Sequence, residues 1–313
     1  MRISSTLFTN DFLYNVNNLE QQQNTLQTQA STGLKISLPE DDPSVMTQVL
    51  EQQTASSQSS QYQTNITQLQ DSATTSGDAM NSLQTISDQA SQIATEAANG
   101  TNSASQLATY ATQVGQLIQE ALQVANTQDA NGNYIFAGTN SSTKPFTATT
   151  DANGNVTAVN YQGNTSTAQS EIAPGVTVTA QTPGANTTGS GPAGLFTDSS
   201  SGADFFGHLI SLQQNLTAGN TSAISSTAIP ALAKDENNIV NQISANGILQ
   251  STLTSASNIA TANSTNLTTQ ISGETNADLA TTLTQLQQTQ TAYQAALASG
   301  SQVFNLSLLN YLQ

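Results

Sequence analysis

Apolar positions along this chain recur at alternating steps of four and three, separated by long polar stretches. From Phe12 the series runs Phe12, Val16, Leu19, Gln23, Leu26, Ala30, Gly33. It is a heptad seam diluted by Gln23 and Gly33, and it predicts a helix of about 20 residues. The loop GLKISLPEDDP follows (33–43). Asp42 directly before Pro43 reads as an N-cap with proline at the first helical position. Glu40 and Asp41 would also favour the positive end of the helix dipole. From Pro43 to Ala98 there is no further proline, and Gly77 is the one glycine. That run predicts a single helix of about 56 residues, roughly 84 Å long. Its seam is drawn from Val49, Leu50, Ile66, Leu69, Ala73, Met80, Leu83, Ile86, Ala90, Ile93 and Ala97. NGTN (99–102) breaks the helix. A second one, carrying Leu107, Val114, Leu117, Ile118, Ala121 and Leu122 over 104–127, should fold back antiparallel on the first.

The pattern then changes period. DANGNYIFAG (129–138), DANGNVTAVNYQG (151–163) and IAPGVTVTAQTPG (172–184) set turn residues before alternating β-prone residues, and predict a small β domain between helices. Helical spacing resumes near Ala203 and ends in the cleanest heptads of the chain. These are Leu279, Leu283, Leu286, Gln290, Tyr293, Leu297, Gly300 and Phe304. The fold class expected is mainly α with a small inserted β domain. It is an elongated antiparallel helical rod in which the terminal coiled-coil helices pair N- with C-terminus. The domain map has a terminal coiled coil at 1–38 plus 275–313. A rod of long helices occupies 39–139 plus 203–274, and an outward-facing β insertion 140–202.

Composition sharpens this picture. Only 8% of residues are charged and 5% aromatic, and there is neither Trp nor Cys. Few large side chains suit long, narrowly packed helices better than one thick core. The net charge is -16, with Arg2, Lys35, Lys144 and Lys234 as the basic residues. So few cations cannot neutralise phosphates, which argues against nucleic acid and against an anionic membrane surface. The absence of cysteine excludes disulfides and thiolate chemistry. The N-terminal MRISSTLFTNDFLYNVNN has no continuous apolar core, so no cleaved secretory signal is expected. No stretch has the length of a membrane span.

Candidate chemistry is sparse. The two DANGN segments hint at calcium loops, but Gly132 and Gly154 stand at position 4, and Asn140 and Gln162 at position 12. A calcium loop needs glycine at position 6 and glutamate at position 12, so a turn is the better reading. His208 is the one histidine and reads as a partly buried helix residue rather than a base. No phosphate loop, nucleophile elbow or zinc motif occurs. No enzyme, cofactor or metal is expected.

The tail stands apart. VFNLSLLNYLQ (303–313) has seven apolar or aromatic residues in eleven and no charge. Beyond Phe304, Leu306, Leu308, Leu309, Tyr311 and Leu312 cover more than one helix face. One partner helix covers only one face, so such a tail calls for several neighbours, as a polymer provides. The assembly interface expected comprises Phe12, Val16, Leu19, Leu26, Leu279, Leu283, Leu286, Tyr293, Leu297, Phe304, Leu306, Leu309 and Leu312.

Several segments resemble a known family. TGLKISLPEDDPSVM (32–46) is similar to the turn that flagellin-like proteins place before their first long helix. The stretch 62–101 with its AANGT break, 121–146 with NYIFAG and PF, the opening MRIS and the ending YQAALASGSQVFNLSLLNYL resemble hook-associated protein 3, the hook–filament junction family. The chain departs from that family in its scarcity of charge. The resemblance implies a structural subunit of the bacterial flagellum, located outside the cell and exported through the flagellar type III apparatus without a cleaved signal. It implies self-association in a ring or tube layer, contact with hook-associated protein 1 and flagellin, and an export chaperone, with the terminal coiled coil (1–38 plus 275–313) disordered in the monomer and ordered in a polymer. A minor flagellin that polymerises into filament is the alternative. A secreted adhesin whose β domain grips a ligand is a third reading, resting on Phe146, Tyr161 and Phe196.

Overall fold

The computed structural model describes residues 3–309, with side chains described over 9–302. Its order is α1 (Ile3–Thr32), α2 (Pro43–Ala97), α3 (Ala104–Ala125), seven short strands, α4 (Phe205–Thr217), α5 (Thr221–Ala223), a π turn (Ile224–Ala228), α6 (Ile229–Thr275) and α7 (Leu279–Leu309). The class is mainly α with small inserted sheets. Two compact units divide the chain, residues 1–58 with 262–313 and residues 59–261. The boundary falls inside α2 and α6, not at the loop before Pro43 or after Thr275.

The start of α2 follows from its first residues. Asp42 Oδ1 accepts from the N–H groups of Ser44 and Val45 at 3.0 and 3.1 Å, which caps the helix. Asp41, expected to serve the helix dipole, instead closes the preceding turn. Its Oδ2 accepts from the N–H groups of Ser37 and Leu38 at 2.9 Å each. Those backbone donors hold its carboxyl below the ordinary carboxylate range.

In the second unit α2 presents one unbroken seam. Ile66, Leu69, Ala73, Ser76, Met80, Leu83, Ser87, Ala90, Ala94 and Ala97 are buried, at steps of three and four throughout. The sequence-based seam overlooked Ser76, Ser87 and Ala94. It also counted Leu50, which lies 54% exposed in the first unit. Ser103 and Gln106 form a capping box that starts α3. The helix ends at Ala125, short of the expected Thr127. The reason is Asn126, whose side chain donates to the carbonyls of Leu122 (2.8 Å) and Phe146 (3.1 Å) and accepts from the Phe146 N–H (3.0 Å). It thereby turns the chain toward the strands.

Strands β1 (Phe146–Thr150) and β2 (Val156–Tyr161) form an antiparallel hairpin, Phe146 opposite Tyr161. β3 (Ser170–Ala173) and β4 (Val176–Val178) form a second. β5 (Ala185–Asn186), β6 (Thr197–Asp198) and β7 (Ala203–Asp204) make a three-stranded sheet with β6 central. Both DANGN segments are turns, with Gly132 and Gly154 at positive φ. Asp129 Oδ1 accepts from the N–H groups of Asn131 and Asn133, and Asp151 Oδ1 does the same with Asn153 and Asn155. The aspartates thus serve their own loops.

These sheets build no core of their own. Phe146, Val156, Leu195 and Phe196 enter the apolar core of α2, α3 and α4, while Ile172 and Ala180 join Ile66, Leu69, Ala73, Leu253 and Ala260 of α2 and α6. The β segment is therefore part of the second unit. Four phenylalanines gather there around Phe196, whose ring centroid lies 4.9 Å from Phe146, 5.4 Å from Phe206, 5.6 Å from Phe136 and 6.4 Å from Phe205. Phe196 is fully buried. A Phe196→Ala substitution is expected to cost the second unit about 3–5 kcal/mol, read as a lower denaturant midpoint by circular dichroism. Phe196→Leu should cost clearly less.

Candidate assembly surface

The first unit pairs the two terminal helices. The pairing is anchored where α6 passes into α7. Gly33, with φ 73°, ends α1 and donates to Gln29 O at 2.9 Å. The Lys35 N–H donates to Thr275 O at 2.7 Å, and the Ala277 N–H to Gly33 O at 2.8 Å. Asp278 then caps α7, accepting from the Ala280 and Thr281 N–H groups and the Thr281 hydroxyl. The Thr281 hydroxyl, followed by those backbone donors, holds the Asp278 carboxyl below its ordinary range. Aspartate before a leucine-periodic run is an N-cap signal that the sequence reading left unused. Gly33 was counted as a seam position, and its role is to stop the helix.

On α1 the described seam is as expected. Val16 is buried, and Phe12, Leu19, Gln23, Leu26 and Ala30 are half-buried. On α7 the seam differs from the expected one. The covered positions are Thr282, Leu286, Thr289, Tyr293, Ala296 and Gly300, again at steps of four and three. Leu286, Tyr293 and Gly300 belong to both sets. Leu279, Leu283 and Leu297 do not: they stand 47%, 50% and 45% exposed. Close approach explains the register. A Cβ at Gly300 would collide with the Phe12 ring, so α7 turns its small residues toward the large ones of α1.

The consequence is an uncovered apolar edge. Leu279 and Leu283, one turn apart, and Leu297, two heptads beyond Leu283, lie along one side of α7, and on α1 Leu13 and Tyr14 are 50% and 68% exposed. The sequence reading overlooked Leu13 and Tyr14 because they lie off its heptad. The side chains of Phe304, Leu306, Leu309 and Leu312 lie outside the described residues.

The one histidine–carboxylate pair among the described residues is elsewhere. His208 Nδ1 lies 2.8 Å from Asp235 Oδ2, and Asp235 Oδ1 accepts from the Asp204 N–H at 2.8 Å. Asp204 in turn caps α4. Asp235 is buried, so the pair ties α4 to α6 rather than standing in an open site.

Residues 3–141 match the family model of the bacterial flagellin N-terminal helical region. Among solved structures, a candidate flagellar hook-associated protein from Vibrio parahaemolyticus aligns with a TM-score of 0.64 at 18% identity, covering 75% of this chain and 100% of that one. Flagellar hook-associated protein-3 from Legionella pneumophila aligns at 0.57 and 14% identity, covering 77% and 99%. The flagellar junction protein FlgL from Legionella pneumophila aligns at 0.51 and 14% identity, covering 67% and 99%. The chain has the fold of the flagellar hook-associated proteins. The comparison with curated protein sequences returned no match. In that hook-associated fold the paired terminal helices and their exposed leucine edge are this chain's outstanding surface feature.

Replacing Gly300 with valine should force α7 off Phe12 and loosen the terminal pair by about 1–3 kcal/mol. Faster amide exchange across residues 12–30, with exchange in the second unit unchanged, is the expected readout. The Asp235 hydrogen bond raises the His208 pKa, reinforced by the Asp235 and Asp204 charges and opposed by burial and Lys234. A raised histidine pKa stabilises the fold fully below the ordinary value of about 6.5, and the gain is lost as pH rises through the folded value. An NMR titration should therefore place His208 above that ordinary value, and Asp235→Asn should bring it down.

Proposed function

We propose that this chain is a non-catalytic structural subunit of the bacterial flagellum that joins hook to filament. In this reading it assembles as a ring or tube layer between hook-associated protein 1 and flagellin. The observation that carries it is the fold shared with hook-associated and junction proteins over most of the chain. The paired terminal helices add a physical reason, because their seam leaves Leu279, Leu283, Leu297, Leu13 and Tyr14 uncovered. Burying such an edge against neighbouring subunits is what a polymer does.

The terminal segments 1–38 and 275–313 form the coiled-coil layer of the assembly, with 140–202 facing outward. Phe12, Val16, Leu19, Leu26, Leu286 and Tyr293 hold the two terminal helices together, while Leu279, Leu283 and Leu297 meet neighbouring copies. Phe304, Leu306, Leu309 and Leu312 extend that contact along the tail. The subunit works outside the cell after export through the flagellar apparatus, escorted by an export chaperone. With so few charges, its contacts rest on packing and amide hydrogen bonds.

A minor flagellin is the second reading, favoured by the match of residues 3–141 to the flagellin N-terminal region. The two differ in self-assembly. Purified full-length chain, and a version lacking residues 279–313, are compared alone and with flagellin by sedimentation and negative-stain imaging. A junction subunit stays small alone, seeds or caps flagellin, and loses that ability with its tail. Long filaments from the full-length chain alone would establish the flagellin reading instead, and unchanged seeding by the truncated chain would remove both.

A further inference from the structure

The sequence holds four Asn–Gly pairs, at 99–100, 131–132, 153–154 and 246–247. Such pairs share an intrinsic reactivity, since glycine carries no Cβ to shield its backbone nitrogen. That nitrogen, on losing its proton, attacks the asparagine Cγ. Ammonia leaves, a five-membered succinimide closes, and water then opens the ring at either carbonyl to give aspartate or isoaspartate. The balance is asparagine plus water to acid plus ammonia, with nothing oxidised or reduced. Which pair reacts in the folded chain is decided by what each nitrogen and each amide already holds.

Three of the four are restrained. The Gly132 N–H donates to Asp129 O at 3.0 Å and the Gly154 N–H to Asp151 O at 3.1 Å, with both glycines fixed at positive φ. The backbone of each asparagine is fixed as well, Asn131 N–H to Asp129 Oδ1 and Asn153 N–H to Asp151 Oδ1, so the glycine nitrogen and the asparagine Cγ are held in the turn geometry. Asn246 and Gly247 lie inside α6. Asn246 is buried, its Nδ2 donates to Ala73 O at 3.0 Å, and its Oδ1 accepts from Gln250 Nε2 at 2.6 Å.

The fourth is open. Asn99 and Gly100 form the exposed turn between α2 and α3. Among the described residues the Gly100 N–H has no acceptor, and nothing lies within 4 Å of the position its Cβ would take. The Asn99 amide is held by a single long hydrogen bond to Glu96 O, 3.4 Å. We infer that Asn99 is the site of spontaneous deamidation in this protein, selected by the fold from four chemically equivalent pairs. The product carboxylate would stand beside Glu96, at the negative end of the α2 dipole. Isoaspartate would also lengthen the backbone of a turn that Asn102 Nδ2 closes onto Glu96 O and Asn99 O at 2.7 and 3.0 Å.

The test is peptide mapping by mass spectrometry of the full chain, incubated folded and in denaturant at mildly alkaline pH. Folded, Asn99 should convert about tenfold or more faster than Asn131, Asn153 and Asn246, whereas in denaturant the four rates should converge. Gly100→Ala, for which the turn has room without positive φ, should slow Asn99 in both states. Conversion of Asn131, Asn153 or Asn246 in the folded chain as fast as Asn99 would overturn the inference. So would an inert Asn99 in the folded chain, or an undiminished rate in Gly100→Ala.

Discussion

Helices made largely of Ala, Ser, Thr, Gln and Asn have little apolar area with which to hold each other, so their backbones must come close. Once they are close, polar side chains at the contact are buried and need partners. In this protein several find them in backbone carbonyls of the neighbouring element, although the Ser87 hydroxyl in the α2 seam has no hydrogen-bond partner among the described residues. Asn246 donates to Ala73 O, Gln213 to Ala111 O, Ser59 to Ala260 O, and Asn238 to both Gly194 O and Leu195 O. A carbonyl in a helix has a second lone pair free for such a bond. Such bonds hold the narrow seams in a chain with very few cations, where the one ion pair among the described residues is His208 with Asp235.

The same economy decides where large side chains are spent. Four phenylalanines collect around Phe196, where strands, α4 and the α2–α3 pair meet. Tyr161 finishes that corner. Its hydroxyl lies 3.0 Å from Phe136 O and 2.9 Å from Asn164 O, and it accepts from the Gly184 N–H at 3.3 Å. The aromatic residues that a ligand-gripping β domain would need at its surface are thus consumed in joining strands to helices. The terminal pair receives far less apolar material, and much of what it has faces outward. A helix pair of that kind is suited to finishing its packing against other subunits, which connects the composition to the proposed role.

Much of the helical order was legible from spacing and punctuation. Asp42-Pro43 fixed the start of α2 and NGTN its end, because caps and breakers act through the backbone within a few residues. The pairing of the terminal helices was also legible, since Leu286, Tyr293 and Gly300 face α1 as their heptads require. What spacing could not give was the rotation of α7. A 4-3 pattern containing Gln, Thr and Ala can be drawn on two adjacent faces, and Leu279, Leu283 and Leu297 mark the one that hydrophobicity alone prefers. The folded pair takes the other, covering Thr282, Thr289 and Ala296 in their place.

The sequence by itself determined where α2 begins and ends, the two DANGN turns and the poverty of charge, all local or summed properties of the chain, whereas α1 runs 30 residues, longer than its heptads foretell. Tertiary structure decided that the strands share the helices' cores, that Asp41 closes a turn instead of serving a dipole, and that His208 ties α4 to α6. It also decided which leucines remain exposed. Each of these depends on residues distant in sequence meeting at a particular distance: Asn126 with Phe146, His208 with Asp235, Phe12 with Gly300. No pattern along the chain encodes such distances, because they are set by how closely small side chains let two backbones approach.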